Sequence, residues 1–546
     1  MREPTSGALL GRLAAGLKIT ALAGLACLGL AAPLQAQGTL RIAMTASDIP
    51  TATGLPNNGF EGMRFLGYPV FESLALWDLT TTDRLAPLRP GLAERWEQSP
   101  EDPRTWIFHL RRGVAFHDGT VFNADAVIWN FERYFNKDAP QFEAPASAIM
   151  RARAPIMSGY RKIDDATVAI TTSVAASYFP YMISLALVTS PASFEAAGRD
   201  WARVALLPAA GTGPFRIASV SPRERIELVR HDGYWDAAGK ARLDRVVLLP
   251  IPEGNARLAA LRTGQVDWIE SPPTDGIPSL RQAGFTIATG SYPHVWPWLF
   301  NIGAAGSPLK DVRVRQALNY CVDRDSIVAL LNGTAEPAIG WLKAADPSFG
   351  KPANRYRFDP ARGRALLAQA GFTAQQPLSF KVMISTSGSG QMAPLPMNEF
   401  LQASLKEACG VQIDFNVTEW QVLLNSMRAL PDQPSLGGAM ALNISGPSTD
   451  PSVMARYFGA ASAPPNGFNF PQWRDDAFEA ALAKLASATD PKVISEQTAI
   501  AHERLVDDPP WLYVVHDLNP RALSPRVRGF VSPQSWFVDL TRISMQ

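Results

Sequence analysis

Residues 92–133 carry the set of structural signals that most limits how this chain folds. Apolar and polar residues alternate over residues 106–110, as they do in a half-buried strand. A second short run, residues 114–117, ends at Asp118-Gly119, a dipeptide that suits the positive φ of a tight turn. Asn123 is expected to cap the helix that follows, because the next apolar residues recur with the helical period. The stretch predicts a strand, a turn, a second strand and a capped helix. Taken alone, this unit indicates a structural role and no particular function.

Strands and helices are predicted in alternation along the rest of the chain. Residues 39–44 and 511–516 read as apolar strands. A helix is expected to start near Asp311, and another has Asp359 as its cap and Gly371 just past its end. Repeats at solenoid spacing and low-complexity tracts are not found in the sequence. These features favour a long α/β protein of two or three domains.

The run that begins at Trp106 resembles the signature of the family 5 extracytoplasmic solute-binding proteins. It reads W-x-F-x-L-R-x-G-V-x-F-H-D-G-x-x-F-N-A-D-A-V. That family delivers peptides, nickel complexes, opines and some sugars to ABC importers. Further similar motifs follow in family order: G-T-G-P-F from Gly211, a Tyr-Trp turn with His231 in place of the usual Asn, L-x-x-G-x-V-D from Leu261, and D-x-R-V-R-Q-A-L from Asp311. The resemblance spans nearly the whole chain after residue 36.

The resemblance implies a type II periplasmic-binding fold, with two α/β lobes joined by crossing hinge strands and an extra inserted domain. By this analogy lobe I is expected to comprise residues 37–65, 200–295 and 511–546. The inserted domain is expected at residues 66–199, and lobe II at residues 296–510.

Residues 1–36 have the pattern of a secretory signal peptide. Arg2, Arg12 and Lys18 precede an uncharged stretch that is shorter than the roughly 20 residues a membrane-spanning helix needs. Cleavage is expected after Ala36, which places the protein in the periplasm. Cys27 makes lipidation an alternative, which is disfavoured because the cysteine lies inside the apolar run.

Composition excludes several functional classes. The formal net charge is +1, with 47% hydrophobic and 18% charged residues, so neither a nucleic-acid partner nor a disordered chain is expected. Cys321 and Cys409 are the cysteines that follow the signal peptide. An exported protein permits a disulfide between them, but buried free thiols are at least as strongly predicted.

Motifs for catalysis, metal binding or a nucleotide are weak. The six histidines include no His-Glu-x-x-His pair, and no Gly-x-Ser-x-Gly nucleophile motif occurs. The G-x-G-x-x-A run from Gly388 is followed by prolines and, 24 residues after Gly390, by Asp414, which fits an ordinary βαβ unit better than a nucleotide site. We therefore expect no catalytic residue, no metal and no cofactor, and a secreted hydrolase is the disfavoured alternative of another class.

Aromatic residues are the first candidates for ligand contact. Trp296, Trp298 and Phe300 share one face of a predicted strand, and Pro297 predicts an edge or crossing strand. Most such aromatics are core residues. The resemblance nevertheless implies a cleft with aromatic walls. The candidate ligand-binding residues are Glu61, His294, Trp296, Trp420, Asn443, Asp450 and Asn469.

One loop departs from the family pattern. Peptide-binding relatives have Trp-x-x-Asp there, and the acid pairs with the α-ammonium of the peptide. Aligned on Asp450, this chain has Ile444 for the Trp and Pro447 for the acid. Because a buried ammonium without a carboxylate costs several kcal/mol, a standard peptide ligand requires a substitute acid. Glu61 or Asp450 is the hypothesised substitute.

The sequence thus predicts a periplasmic substrate-binding component of an ABC importer that binds a peptide or peptide-like solute. A non-peptide solute such as an opine, an oligosaccharide or a metal chelate is the alternative that Pro447 favours modestly. The expected partner is an ABC permease complex in the inner membrane, and the protein is expected to be a monomer.

Overall fold

The structure is a computed structural model that describes residues 38–55, 59–388, 390–448, 451–488 and 490–546. The predicted signal peptide therefore lies outside the described residues. Over the described ranges the chain forms two seven-stranded sheets, one four-stranded sheet and two strand pairs. The strand pairs are Ala75–Trp77 with Leu88–Pro90, and Val527–Arg528 with Ser544–Met545.

The first sheet is built around the strand Thr39–Met44, which runs parallel to both of its neighbours. In sheet order the strands are Thr286–Ala288, Arg521–Leu523, Trp268–Glu270, Thr39–Met44, Arg245–Pro250, Arg225–Arg230 and Phe215–Ser221. Side chains of the central strand alternate between two cores, because successive residues of a strand point to opposite faces. Ile42 packs in the large core with Phe65, whereas Ala43 packs against Leu258 of the helix Gly254–Arg262.

The second sheet forms the other lobe. In sheet order its strands are Ala335–Pro337, Trp511–Asp517, His294–Phe300, Ala441–Asn443, Ser379–Ile384 and Gln412–Val417, and Gly446–Pro447 also pairs with His294–Phe300. The helices around it are Val312–Tyr320, Arg324–Leu330, Pro360–Gln369, Pro394–Cys409, Trp420–Ser426, Pro451–Phe458, Asp476–Ser487 and Pro491–Asp507. The parallel pair Ser379–Ile384 and Gln412–Val417, with the helix Pro394–Cys409 between them, confirms the predicted βαβ unit.

Pro297 lies in a central strand, so the expected edge or crossing strand is wrong. The strand His294–Phe300 pairs with Trp511–Asp517 on one side and with Ala441–Asn443 on the other. Its register shifts between Trp296 and Pro297. A bulge at this point accommodates a residue that has no N–H to donate, which explains how a proline fits inside the sheet.

The four-stranded sheet belongs to the inserted part of the chain. Its strands, in order, are Ala93–Gln98, Thr105–Leu110, Thr167–Thr172 and Met157–Asp164, and its helices are Ala124–Phe135, Ala144–Arg153, Phe179–Ile183, Pro191–Ala196 and Trp201–Val204. The predicted cap is confirmed, because the Asn123 side chain accepts from Ala126 N at 3.0 Å. The predicted strand at residues 114–117 is wrong. His117 N donates to Gly211 O, and only an isolated bridge joins Ala115 to Val121.

The described chain passes between the two large sheets at residues 289–293 and 518–520. These crossing segments are hydrogen-bonded to each other, since Gly290 N donates to Leu518 O at 3.0 Å. The strand Trp511–Asp517 pairs within the second sheet, so the expected end of lobe II at residue 510 is corrected to the crossing at residues 518–520. A fully apolar strand has the same sequence pattern in either sheet. The pattern therefore could not show that this strand belongs to the second lobe rather than to lobe I. The other domain boundaries stay predictions.

A disulfide joins Cys321 to Cys409, with their Cα atoms 6.1 Å apart. It links the ends of two helices of the second lobe, Val312–Tyr320 and Pro394–Cys409. The structure thus selects the bridge over the free thiols. Gly363 packs against both sulfur atoms, and a Cβ there would lie only 2.9 Å from Cys409 Sγ.

Within the described ranges, no helix combines the length and the apolar character that crossing a membrane requires.

Candidate functional site

A small polar pocket lies where the crossing segments meet both lobes. Its lining residues are Thr45, Glu61, Arg64, Glu270, Ser271, Tyr292, Gly390 and Asn519. Tyr292 and Asn519 belong to the crossing segments, and Gly390 belongs to the second lobe. The pocket volume is about 10 Å3, which is room for about one water molecule. It is therefore part of the closed contact between the lobes, next to the hinge.

Glu270 is the centre of a buried ion-pair network in this pocket. It accepts from Arg521 Nε at 3.0 Å, from Trp268 Nε1 at 2.8 Å, and also from Arg64 Nη1. Burial alone would raise the pKa of Glu270, but the positive charges of Arg64 and Arg521 outweigh burial and lower it. Glu270 is thus a buried carboxylate held between two guanidinium groups.

Asn519 ties the crossing segment to this network. With its side-chain oxygen facing the arginines, it accepts from Arg64 Nη2 at 3.2 Å and from Arg521 Nη2 at 2.6 Å. Asn519 has a φ of 46° and Ser271, also in the pocket, has a φ of 43°. Non-glycine residues rarely adopt the left-handed region, and such residues gather at functional sites and switch regions. The backbone at the crossing is therefore held in an unusual conformation by the ion-pair network.

Glu61 is buried in the same pocket. It accepts from Thr45 N at 2.7 Å, from Thr45 Oγ1 at 3.0 Å and from Ala46 N at 3.1 Å. Burial, and then the negative charge of Glu270, raises the pKa of Glu61. These bonds hold the loop that follows the strand Thr39–Met44. Direct ligand contact by Glu61 stays a prediction.

A second group of charged side chains lies at the junction of the two lobes and the inserted domain. Arg153 ends a helix of the inserted domain, and its Nη2 lies 3.7 Å from Met63 Sδ in the first lobe. Its guanidinium carbon is also 5.6 Å from the centre of the Trp536 ring. Arg456 comes from a helix of the second lobe, and its guanidinium lies 5.2 Å from the centre of the Tyr457 ring. The two arginines thus come from different domains of the chain.

Both guanidinium groups are buried without a full set of partners. Arg153 and Arg456 each have 8% of their surface exposed. In the part of the chain that the structure describes, Arg153 Nη1 and Arg456 Nε have no hydrogen-bond partner. Burial, and then the positive charge of Arg456, lowers the pKa of Arg153 to about 9. Burial and a neighbouring positive charge therefore both disfavour the charged form of Arg153.

Two polar side chains of the second lobe are buried in a similar way. Gln391 is 2% exposed and Ser445 is 6% exposed. Both amide atoms of Gln391 and the Ser445 hydroxyl lack a hydrogen-bond partner among the described residues. Gln391 follows the pocket residue Gly390, and Ser445 precedes Gly446, which packs near Tyr457. Buried polar groups are normally paired, so these side chains have hydrogen-bonding capacity left for a solute.

Two of the predicted site residues lie at the start of the strand that follows the first crossing. His294 is fully buried, with Nδ1 3.6 Å from Asp517 Oδ2. Trp296 is fully buried in the core of the second lobe, and its Nε1 donates to Gln391 O at 3.1 Å. Burial in the core is the role that most aromatics of such strands have. Ligand contact by His294 and Trp296 stays a prediction.

The structure gives Asn443 and Asn469 structural partners. Asn443 Nδ2 donates to Pro297 O at 3.0 Å, and Asn443 Oδ1 accepts from Asn398 Nδ2 at 2.8 Å. Asn469 Nδ2 donates to Phe458 O at 3.1 Å. Because these amides satisfy buried backbone carbonyls, their place in the ligand site is not supported by their contacts and stays a prediction.

Trp420 and Asp450 complete the predicted set. Trp420 begins the helix Trp420–Ser426 and lies against Gly388, where an added Cβ would be 2.5 Å from the Trp420 ring. Asp450 lies outside the described residues. Of the predicted residues that the structure describes, Glu61 alone lines the pocket.

Sequence reasoning missed the arginines and Glu270. Their signal is a charge inside or at the end of an apolar run: Arg64 precedes Phe65 and Leu66, Glu270 ends the strand Trp268–Glu270, and Arg521 begins the strand Arg521–Leu523. Charged residues are seldom fully buried unless they are paired. Within one sequence, nothing indicates which of the many charges is buried.

No cluster of three or more His, Cys, Asp or Glu side chains that would suit a metal ion is found in the ranges that the structure describes. Chemically, the arrangement offers buried hydrogen-bonding groups and paired charges next to the crossing segments.

The family model of the bacterial extracellular solute-binding proteins, family 5 (middle), matches residues 87–468, which is more than half of the chain. The chain belongs to family 5 of the bacterial extracellular solute-binding proteins. The match covers most of the inserted domain, the part of the first lobe that follows it up to residue 288, the first crossing segment and most of the second lobe. The predicted family is therefore confirmed.

Two characterised relatives of this family 5 protein match over most of their length. The heme-binding protein A of Haemophilus influenzae is 27% identical over 85% of this chain and 84% of its own. The dipeptide-binding protein of Escherichia coli is 26% identical over 85% of this chain and 86% of its own. A solved structure, the periplasmic binding protein DppA from Helicobacter pylori in complex with peptide STSA, has a TM-score of 0.77 at 22% identity and covers 93% of this chain and 98% of that chain. This likeness confirms the predicted type II periplasmic-binding fold.

Proposed function

We propose that this family 5 protein is the periplasmic substrate-binding component of an ABC importer. It captures a peptide or peptide-like solute between its lobes and delivers it, unconverted, to a permease in the inner membrane. The observation that carries the proposal is the pair of short crossing segments, residues 289–293 and 518–520, with a buried polar pocket at their junction. Relatives named for dipeptide binding and for a bound peptide support the solute class.

The closed form is held by contacts on both sides of the cleft. Asn332 Nδ2 of the second lobe donates to Thr274 O of the first lobe at 2.8 Å. Ser177 N of the inserted domain donates to Ala486 O of the second lobe at 2.8 Å. A solute that contacts both sides binds the closed form more tightly than the open form, and therefore shifts the population towards closure. The permease then receives the closed, loaded protein.

Thermal unfolding of the mature protein, residues 37–546, in the presence of single compounds tests the proposal. The compounds are di- and tripeptides, opines, oligosaccharides and nickel chelates. A peptide at 100 times its dissociation constant is expected to add about 2.7 kcal/mol to the free energy of unfolding. The same peptide is expected to reduce the radius of gyration in X-ray scattering, because closure brings the lobes together.

Other outcomes would point elsewhere. If a sugar or a chelate stabilised the protein and no peptide did, the solute class would be a non-peptide solute instead of a peptide. Chemical turnover of any compound would contradict the proposal of a binding protein and would favour the alternative of a secreted hydrolase. Stabilisation without a change in the radius of gyration would contradict capture by lobe closure.

A further inference from the structure

We infer that this protein has a second binding site, a cavity beside the first sheet that takes a small amphipathic anion, meaning an organic anion with an apolar body. Five segments of the chain line this side cavity, within residues 68–80, 89, 214–215, 234–242 and 538–542. Its volume is about 550 Å3. Sites for small organic molecules typically have volumes of roughly 300–1,000 Å3, so the side cavity has the size of a ligand site.

The side cavity is separate from the cleft between the lobes. Of the described residues that line it, none belongs to residues 294–517, which build the second sheet and its helices. The side cavity and the pocket at the crossing segments also have no lining residue in common. A ligand of the side cavity therefore contacts one lobe only, and its binding does not require lobe closure.

The floor of the side cavity is apolar. Leu76, Phe215 and Leu540 line it, and all three pack in the large core of the first lobe. Tyr68 adds an aromatic wall, and its ring is held by stacking on Phe537, with the ring centres 3.9 Å apart. Such a surface favours the apolar part of a ligand, because contact removes apolar area from water.

The walls are held by the fold, so the side cavity is formed without a ligand. Arg242 N donates to Thr541 O at 3.0 Å, which joins two of the five lining segments. Leu76 and Arg89 lie directly opposite each other in an antiparallel strand pair. Cross-strand partners lie on the same face of a sheet, so this pairing places a cation beside the apolar floor.

The carboxylates of the side cavity are engaged by the chain itself. Three acids line it, Glu72, Asp236 and Asp539. Each accepts hydrogen bonds from neighbouring residues. Asp539 is also paired with Arg542, whose Nε lies 3.3 Å from Asp539 Oδ2. These acids therefore do not neutralise the other cations of the lining.

Three cations of the side cavity have no carboxylate partner. They are Arg89, which is half-buried, and Lys240 and Arg242, which are exposed. None of the ion pairs formed in the described part of the chain includes them. Arg89 Nη1 and Arg242 Nη1 donate only to backbone oxygens, at 3.3 Å and 3.5 Å.

An anionic group fits these cations. Guanidinium and ammonium groups bind carboxylates and phosphates through charge-assisted hydrogen bonds, which are about twice as strong as neutral ones. The position of Arg89 beside Leu76 puts the anionic group of a ligand at the edge of the apolar floor. A ligand with an apolar body and one anionic group satisfies both parts of the side cavity.

Isothermal titration of the mature protein with matched probes tests the side cavity. The probes are phenylpropionate, its uncharged analogue phenylpropionamide, and inorganic phosphate as an anion without an apolar body. The charge variants are Arg89→Gln and Lys240→Gln. Ala238→Trp places an indole at an exposed lining residue without removing a buried side chain. The matched control is Arg84→Gln, because Arg84 is an exposed cation that does not line the side cavity.

We expect the wild-type protein to bind phenylpropionate at least about tenfold more tightly than phenylpropionamide. Arg89→Gln is expected to weaken phenylpropionate binding by about tenfold, the effect of losing one hydrogen bond to a charged group, and Lys240→Gln by less. Neither charge variant is expected to change the affinity for the amide. Ala238→Trp is expected to weaken binding of both compounds, and Arg84→Gln to change neither.

Two further readouts separate the side cavity from the cleft. The radius of gyration is expected to stay constant when phenylpropionate binds, because only one lobe is contacted. A peptide that stabilises the wild type is expected to stabilise Arg89→Gln and Ala238→Trp equally. If no peptide stabilises any of these proteins, the proposed function fails while the side cavity is still tested by phenylpropionate.

Four outcomes would overturn the inference. Equal binding of phenylpropionate and its amide would contradict an anion site. Phenylpropionate affinity that is unchanged in Arg89→Gln, Lys240→Gln and Ala238→Trp would place the probe outside the side cavity. Phosphate binding that depends on Arg89, with no binding of phenylpropionate, would mean an adventitious ion only. A smaller radius of gyration with bound phenylpropionate would contradict a site confined to one lobe.

Discussion

Arg521 and Glu270 lie directly opposite each other on neighbouring antiparallel strands, and Arg521 Nε is 3.0 Å from Glu270 Oε1. Their side chains are 2% and 3% exposed. Arg521 directly follows the second crossing segment, so this ion pair anchors the hinge to the strand Trp268–Glu270. Its neighbour Arg64 donates to the same carboxylate and to Trp536 O at 3.2 Å. The second crossing segment is therefore anchored to the first sheet by a buried charge network.

Replacement of Glu270 by Gln tests how much this network stabilises the fold. The variant leaves Arg64 and Arg521 buried without the carboxylate that both of them bind, and such a loss typically costs about 3–5 kcal/mol. We expect the urea midpoint of unfolding to fall accordingly, at an unchanged m-value. Glu195→Gln is the control, because it removes an exposed pair with Arg199 and is expected to leave the midpoint unchanged. Equal midpoints for Glu270→Gln and the wild type would contradict the network.

Removal of the disulfide is expected to destabilise the second lobe. Cys321 and Cys409 are 88 residues apart, and a loop of that length corresponds to about 4.6 kcal/mol of chain-entropy stabilisation. The double variant Cys321→Ala and Cys409→Ala is expected to unfold at lower urea concentration than the oxidised wild type. Reduction of the wild type is expected to have a similar effect, and no effect of either change would contradict the bridge.

Gly363 gives a second readout of the same bridge. An added Cβ would collide with Cys321 Sγ and lie 2.9 Å from Cys409 Sγ, so Gly363→Ala is expected to destabilise the oxidised protein. In the double alanine variant both sulfur atoms are gone, and Gly363→Ala is expected to cost less or to stabilise the helix. The two effects are compared in a double-mutant cycle. Equal effects in both backgrounds would contradict close packing of Gly363 on the bridge.

Glu72 is expected to make stability depend on pH near neutrality. Burial raises its pKa from the ordinary value of 4.5 to about 7, even though Tyr234 Oη and Trp235 Nε1 each donate to it at 2.7 Å. Because the folded-state pKa is the higher one, the stabilising contribution is full below pH 4.5 and is lost as pH rises through about 7.

The measurement is the difference in unfolding free energy between the wild type and Glu72→Gln. We expect this difference to change by about 3 kcal/mol in favour of the variant between pH 4 and pH 8, since one pKa unit corresponds to about 1.4 kcal/mol. All other titrating groups are present in both proteins, so their contributions to the pH dependence cancel when the two unfolding free energies are subtracted. A difference that does not vary with pH would show that Glu72 titrates alike in the folded and unfolded chain.

Asn332 is expected to contribute to lobe closure. Its φ is 50°, so Asn332→Gly removes the side-chain amide without straining the backbone. The variant loses the hydrogen bond to Thr274 O, which joins the lobes in the closed form. We expect the affinity for a captured solute to fall about two- to tenfold, the value of one net hydrogen bond, at an unchanged melting temperature of the free protein. Unchanged affinity would show that this contact does not persist in the loaded form.

Much of the fold was predictable because it follows from local signals. The cap at Asn123, the helix from Pro360 to the residues before Gly371, and the strand at residues 39–44 all depend on neighbouring residues in the chain. The family motifs added the order of these elements and hence the two-lobed architecture. The prediction that failed at residues 114–117 did so because His117 bonds to the distant Gly211.

The candidate site was harder to predict. Glu61 stands out between glycines, and it does line the pocket. Asn443 and Asn469 looked equally suitable, but their amides are occupied by backbone carbonyls. The buried arginines, among them Arg153 and Arg456, resemble ordinary surface residues in the sequence, because a buried and an exposed arginine have the same neighbours in a helical pattern.

By itself the sequence determined the secondary structure of most elements and the family, since these depend on periodicity, caps and motifs within short windows. The tertiary structure alone decided that the strand Trp511–Asp517 joins the second sheet, that Cys321 bonds to Cys409, and that Arg64 and Arg521 both bind Glu270. Each of these outcomes depends on a distance between residues far apart in the chain. Such distances arise only when the cores have packed and the burial of each charge is settled.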